Sequence, residues 1–531
     1  VSMPAIITDQ YRILNAETFV DSFVGIGSTG NNNYYSFLGH PNPKNVDVKN
    51  YGVSDWGNPV PNPIDAFDQE NFYYDSMLFL KKVTENDVRR VVPRLDWQTG
   101  TIYEMYRNNY SATNRTPQTK STTLYGSNYF VLNSEFNLYL CINNGSNPDN
   151  PNGQKSLFEP THTNTVPQEA GNGSDGYLWK YLFTISPSDI VKFVTNSYIP
   201  LPKKWGDTAT ATVKDAAVNG KIETVIVKNG GSGYSIDEGG TVTNTGTISG
   251  IPISGDGTGG SISVNINSGI IESVSSVIGG TDYTYASIRF EAGSFGGKTL
   301  ILGTDAEFEV VIPPKGGHGA DIYRELGGFR VMLYSKYDNN VDHVPDYVLG
   351  NDFSRVGLVK NPLQFSGTDL LNNTTATNLG ALKLEPDVSS GLTTSQVSYE
   401  PNTLITQVVG VNSTAVGYVA SWNPDTGILR YYQPVGFSTL STYSYKKLDF
   451  EGIENAPITG GSPENLVVDI NFSGRTSSVG GKNVDLGQTF NLGKANPDVK
   501  KYSGEIIYID NRAPVTRTSS QKEEVKIVIE F

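Results

Sequence analysis

Apolar positions in this chain recur mostly at every second residue. Near the C-terminus, Val525, Ile527, Ile529 and Phe531 fall on one side and Lys526 and Glu530 on the other, the alternation of a half-buried strand. Just upstream, Ile506, Tyr508 and Asp510 alternate with Glu505, Ile507 and Ile509, a strand with apolar residues on both faces. Asn511-Arg512-Ala513-Pro514 between them has turn chemistry, so the pattern predicts a C-terminal hairpin within 498–531. The run NYFVLNSEFNLYLCIN, residues 128–143, reads in the same way as two strands around an Asn-Ser-Glu turn. Tyr34, Tyr35, Phe37 and Leu38 form another strand.

Helical spacing is rarer. Ala16, Phe19, Val20 and Phe23 repeat at helical intervals behind Asn15 as a cap. Phe67, Tyr73, Tyr74, Met77, Leu78 and Leu80 give residues 64–83 a broad apolar face and predict the longest helix. Thr84 to Asp87 has the form of a capping box, and Ser186-Pro187-Ser188-Asp189 opens a further helix. The basic residues Lys81, Lys82, Arg89, Arg90 and Arg94 are interrupted by Glu85 and Asp87 and read as a solvated helix face.

The middle of the chain contains a repeat. NGKIETVIVKNGGSGYS (219–235) and NSGIIESVSSVIGGTDYT (267–284) each hold a turn, an alternating strand, a Gly-Gly turn and a tyrosine. Short alternating runs, TATATV (208–213) and SISVNI (261–266), precede them. Two copies are too few for a solenoid, so a small β-sandwich or paired hairpins is expected. A second block, around the turn Asn423 to Gly427, reads as a compact β-barrel or sandwich.

The fold class is therefore mainly β with some helix (α+β) and multidomain. The expected divisions are a core at 1–205, an inserted β domain at 206–315 and a connecting segment at 316–398. A small β module at 399–450, an extended arm at 451–497 and the hairpin at 498–531, returning to the core, complete the chain. The 531 residues, at 37% hydrophobic and 18% charged, suffice for packed cores with polar, uncharged surfaces.

A net charge of −14 argues against nucleic acid, whose phosphates need clustered Lys and Arg. No apolar run approaches the length of a membrane-spanning helix, and VSMPAIITDQY is not a signal peptide. Neither a membrane nor the secretory route is expected. The lone Cys141 leaves no internal disulfide or CxxC metal site and reads as a buried small hydrophobe.

His40, His162, His318 and His343 form no HExxH and no triad. Gly316-Gly317-His318-Gly319-Ala320-Asp321 matches one calcium-binding β-roll unit, but that mechanism requires stacked copies. A glycine loop entering a short helix, capped by His318 or Asp321, is the expectation. No Walker sequence occurs, and no two acids stand out as a glycosidase pair. Asp96 beside Trp97 could serve a sugar, but pairing with Arg94 or capping a turn is the plainer role. No catalytic residue, metal ligand or cofactor is assigned.

Three stretches share their wording with a family. SGEIIYIDNRAPV with QKEEVKIVIEF at the C-terminus, VVPRLDW (91–97) and GSDGYLWKYLFTI (173–185) resemble the dimeric baseplate wedge subunit of T-even-type contractile phage tails. The resemblance covers roughly the first 205 residues and the last 35, with an enlarged middle region. It picks out Arg94, Asp96, Trp97, Tyr177, Trp179, Glu505, Asn511 and Arg512 as structural residues of the family motif. It implies a virion protein of the tail baseplate, made in the host cytoplasm and not an enzyme. Such a subunit would pair with a second copy, hold neighbouring wedge proteins and move with the baseplate during attachment and sheath contraction. The alternatives are a receptor- or glycan-binding tail protein and a tail-associated glycan hydrolase.

Overall fold

The computed structural model describes residues 6–24, 32–39, 60–338, 352–433, 448–516 and 521–531. The chain is mainly β and divides into two compact units. One comprises Val1–Thr18, Arg89–Met332 and Val528–Phe531, the other Phe19–Val88 and Leu333–Ile527. No helix among the described residues is long and apolar enough to cross a membrane.

The first unit is organised by an antiparallel sheet of Phe130–Leu132, Asn137–Asn144, Tyr177–Thr184 and Gln168–Glu169, in that order. Nearly every residue of Asn137–Asn144 is buried, which is why the strand reads as a continuous apolar run. Ser186 caps the helix Pro187–Phe193 by accepting the amide of Asp189, with Pro187 in the first turn. The first helix, Asp9–Asp21, starts before Asn15 because Thr8 takes the cap, its Oγ1 accepting the Tyr11 amide. Arg12 of that helix pairs with Glu530, and the Phe531 amide bonds the Phe329 carbonyl at 3.1 Å. Arg89 and Arg90 lie in the strand Val88–Pro93, not on a helix. Both are buried, Arg89 paired with Asp189 at 3.0 Å and Arg90 near Glu17 with its guanidinium over the Tyr323 ring.

The same unit holds the repeat. TATATV does not form a strand: Asp207 Oδ1 accepts the amides of Ala209 and Thr210, bending the chain into the helical turn Ala211–Asp215. The two copies nevertheless occupy equivalent places. Val225–Ser232 pairs with Thr304–Val310, and Ile270–Thr281 pairs with Thr258–Asn267. Tyr234 Oη accepts the Ala306 amide at 3.3 Å and Tyr283 Oη the Gly260 amide at 3.2 Å. Each copy then closes on the other. A β-carbon at Gly230 would strike the Ile271 carbonyl, and one at Gly279 would strike the Ile222 carbonyl. Ile222, Val225, Ile271 and the two tyrosines share one hydrophobic cluster.

The second unit contains a five-stranded sheet ordered Thr375–Thr377, Met77–Val83, Tyr34–Gly39, Asp352–Lys360, Glu505–Thr516. The expected long helix stops at Ser76, and Met77–Val83 continues as a strand. MLFLKKV carries apolar residues on both faces, and Tyr35, Phe37 and Leu80 pack together in one cluster, so burial in a sheet outweighs helical spacing.

Two further expectations change. The segments 316–398, 399–450 and 451–497 are not a connector, a module and an arm. Gly380–Glu385 is paired with Ile428–Tyr432, Leu466–Val468 and Lys494–Ala495, so all three segments contribute to one sheet. The Gly- and Asn-rich stretch read as an arm includes the hairpin Gly474–Val479 with Lys482–Phe490. The C-terminal hairpin is also absent among the described residues. Glu505–Thr516 pairs with Asp352–Lys360, while Glu523–Glu530 lies beside Arg330–Tyr337 in another sheet. Asn511 to Pro514 does not turn. The strand runs through it with a bulge, Arg355 facing Asn511 and Phe353 facing Val515.

Candidate functional site

The N-terminal family-like residues gather in the first unit. Arg94 Nε donates to Asp96 Oδ1 at 2.8 Å, and its guanidinium also reaches the Thr195 carbonyl at 3.1 Å. Asp96 is thereby held by an arginine at an exposed position. Trp97 is half-buried, with its indole N–H on Ser156 Oγ at 3.0 Å. Tyr177 and Trp179 project from the same face of one strand, as residues two apart must. They are fully buried and stack with ring centroids 5.2 Å apart, with Tyr103 edge-on to both. Burial pushes the Tyr177 phenol and the Cys141 thiol up, so neither is an available nucleophile at neutral pH.

The C-terminal residues belong to the second unit. Glu505 is exposed and pairs with Lys360 at 3.2 Å, and Arg512 is exposed and pairs with Asp510 at 2.6 Å. Asn511 is buried, taking Arg355 Nε on its Oδ1 at 3.0 Å and donating Nδ2–H to the Pro61 carbonyl at 2.9 Å. Arg355 itself is wholly buried. Of the family-like residues, Tyr177, Trp179 and Asn511 are buried in the packing of their own unit, whereas Asp96, Glu505 and Arg512 are exposed.

Several organising residues escaped the sequence reading. Glu104, wholly buried, accepts the amides of Gln118, Thr119 and Asn128 and so pins the loop between them. His318 Nδ1 bonds Glu325 Oε1 at 2.5 Å, both buried, with the Tyr106 ring edge-on to the imidazole. Asp321 caps the turn Ile322–Glu325 through the amides of Tyr323 and Arg324, which commits the one carboxylate of the GGxGxD match to the backbone. His162 Nε2 lies on the Trp179 carbonyl, and His40 and His343 lie outside the described residues. The signal that could have found Glu104 and Arg355 is a single charge set in an apolar alternation, IYEMY and FSRVGLV, because a charge there must be bonded.

A polar groove of about 590 Å³ also lies in the first unit, walled by Lys221–Val227 and Glu272–Val277. Glu169, Ser146 and Asn147 also line it. Ser146 Oγ and Glu223 Oε2 are buried there and have no hydrogen-bond partner among the described residues. Lys180 Nζ stands 3.7 Å from the other Glu223 oxygen and donates to the Thr165 carbonyl.

Packed aromatic cores and multiple antiparallel sheets define a mainly β protein. Residues 5–220 match the family described as Phage-Gp8, Bacteriophage T4, Gp8. Over that segment the chain is similar to a structural baseplate component of a contractile phage tail, and the match supports a baseplate wedge protein of T4 type. The C-terminal stretch that carries part of the resemblance lies beyond the matched residues. Among curated proteins no relative matches the chain.

Proposed function

We propose that this chain is a structural wedge subunit of a contractile-tail baseplate, one that holds neighbouring wedge proteins and moves with the baseplate during host attachment and sheath contraction. The family match over residues 5–220 carries this reading. The placement of Tyr177 and Trp179 supports it, since both are fully buried and stack within the core. In this reading the chain performs no bond chemistry, pairs with a second copy of itself and is assembled into the virion tail after synthesis in the host cytoplasm. In this reading the enlarged middle region is an elaboration on a wedge core built from roughly the first 205 residues and the last 35.

A dimer of this kind buries at least about 1,000 Å². Light scattering on purified chain should return twice the monomer mass, and the structure should fit baseplate density in a map of the whole virion. A strict monomer that fits no baseplate density overturns the proposal. Turnover of a surface glycan, abolished by replacing one or two acids, would replace it with a hydrolase.

A further inference from the structure

We infer that the groove between Lys221–Val227 and Glu272–Val277 is a docking site for an extended segment of a partner protein, with an arginine or lysine side chain seated on Glu223. The site stands on the geometry of the first unit alone, wherever in an assembly the chain resides. Two observations point to an occupant. The Glu223 side chain is 10% exposed, and its Oε2 has no partner among the described residues. Ser146 is 9% exposed and its Oγ is likewise unsatisfied. A buried carboxylate oxygen left without a donor is costly, and both side chains line the same groove.

The chemistry of the lining selects the occupant. Glu169, Glu223 and Glu272 face one lining lysine, Lys221, while Lys180 stands behind Glu223, so the groove favours positive charge. No group of three acid or imidazole side chains converges on a metal position among the described residues. The carboxylates thus act singly, as they would on cationic groups spaced along a chain. Among the described residues no aromatic ring lines the groove to stack on a sugar. The walls are six to seven residues long, roughly 20 Å of extended backbone. That length suits a short strand-like segment better than a compact small molecule.

The test uses the full chain and three probes: a labelled Gly-Ser-Arg-Gly-Ser-Arg peptide, its twin with citrulline for arginine, and maltohexaose. Fluorescence anisotropy should show the arginine peptide binding about tenfold more tightly than the neutral twin, the scale of a charge-assisted hydrogen bond, and weakening with salt. Glu223→Gln should bring the arginine peptide down to the citrulline level. Glu272→Gln, at an exposed position, should weaken it partly with an unaltered melting curve, which keeps the test sound if Glu223→Gln disturbs Lys180 and folding. Equal binding of the twins, indifference to both substitutions, or maltohexaose displacing the peptide would each overturn the inference.

Discussion

The Tyr103 amide donates to Tyr177 Oη at 2.9 Å, and the same hydroxyl donates to the Gln154 carbonyl at 2.8 Å. One phenol thus joins the strand Tyr177–Thr184 to two loops while its ring stacks on Trp179.

Tyr177→Phe keeps the ring and removes the hydroxyl. It leaves a buried amide and a carbonyl unpaired, which costs about 1–3 kcal/mol. Urea unfolding should show a lower midpoint with an unchanged slope.

The tryptophans should separate by burial. Trp179→Ala should cost about 3–5 kcal/mol, as for a buried large aromatic. Trp97→Ala should cost measurably less, because Trp97 is only half-buried. Equal melting temperatures for the two variants would contradict the packing described.

In the second unit, Asn511→Leu removes the acceptor for Arg355 Nε and the donor to the Pro61 carbonyl. A hydrogen bond to a charged group contributes about 1.5–3 kcal/mol. A loss on that scale is expected in chemical unfolding, and Arg512→Ala, at an exposed position, should cost far less.

The strand patterns were legible wherever one face met a core. The strands at 130–132 and 137–144 and the helix opened by Ser186 and Pro187 needed only short apolar runs around a turn and cap chemistry. Met77–Val83 was misread because MLFLKKV is apolar on both faces and fits either period. Which strands pair across long separations in sequence was not legible. Asn511 to Pro514 has turn composition but is held extended by Arg355, a residue distant in sequence. The family-like positions were visible as residues. Their bonding partners (Ser156, Gln154, Arg355) come from other segments and carry no local signature.

Glu523 supplies a pH dependence. Burial first, then the Asp338 carboxylate, push its carboxyl up to about 7, against about 4.3 for an unfolded glutamate. The folded state then holds the proton more tightly, so stability falls as pH rises from about 4.3 to about 7 and levels off above. Glu523→Gln should flatten that slope in urea midpoints measured across the window.

Gly230→Ala and Gly279→Ala should be comparably harmful, since each adds a methyl against the other copy's backbone carbonyl. Hydrogen exchange should show both substitutions loosening the two strands together. A block built on such reciprocity has the geometry of a dimer joined into one polypeptide. Its halves meet at the high effective concentration of a tether and not by diffusion. Fusion also releases each half from the identity that symmetry would impose. That leaves one copy free to keep Glu223 buried beside Lys180 while its counterpart, Glu272, remains exposed to solvent.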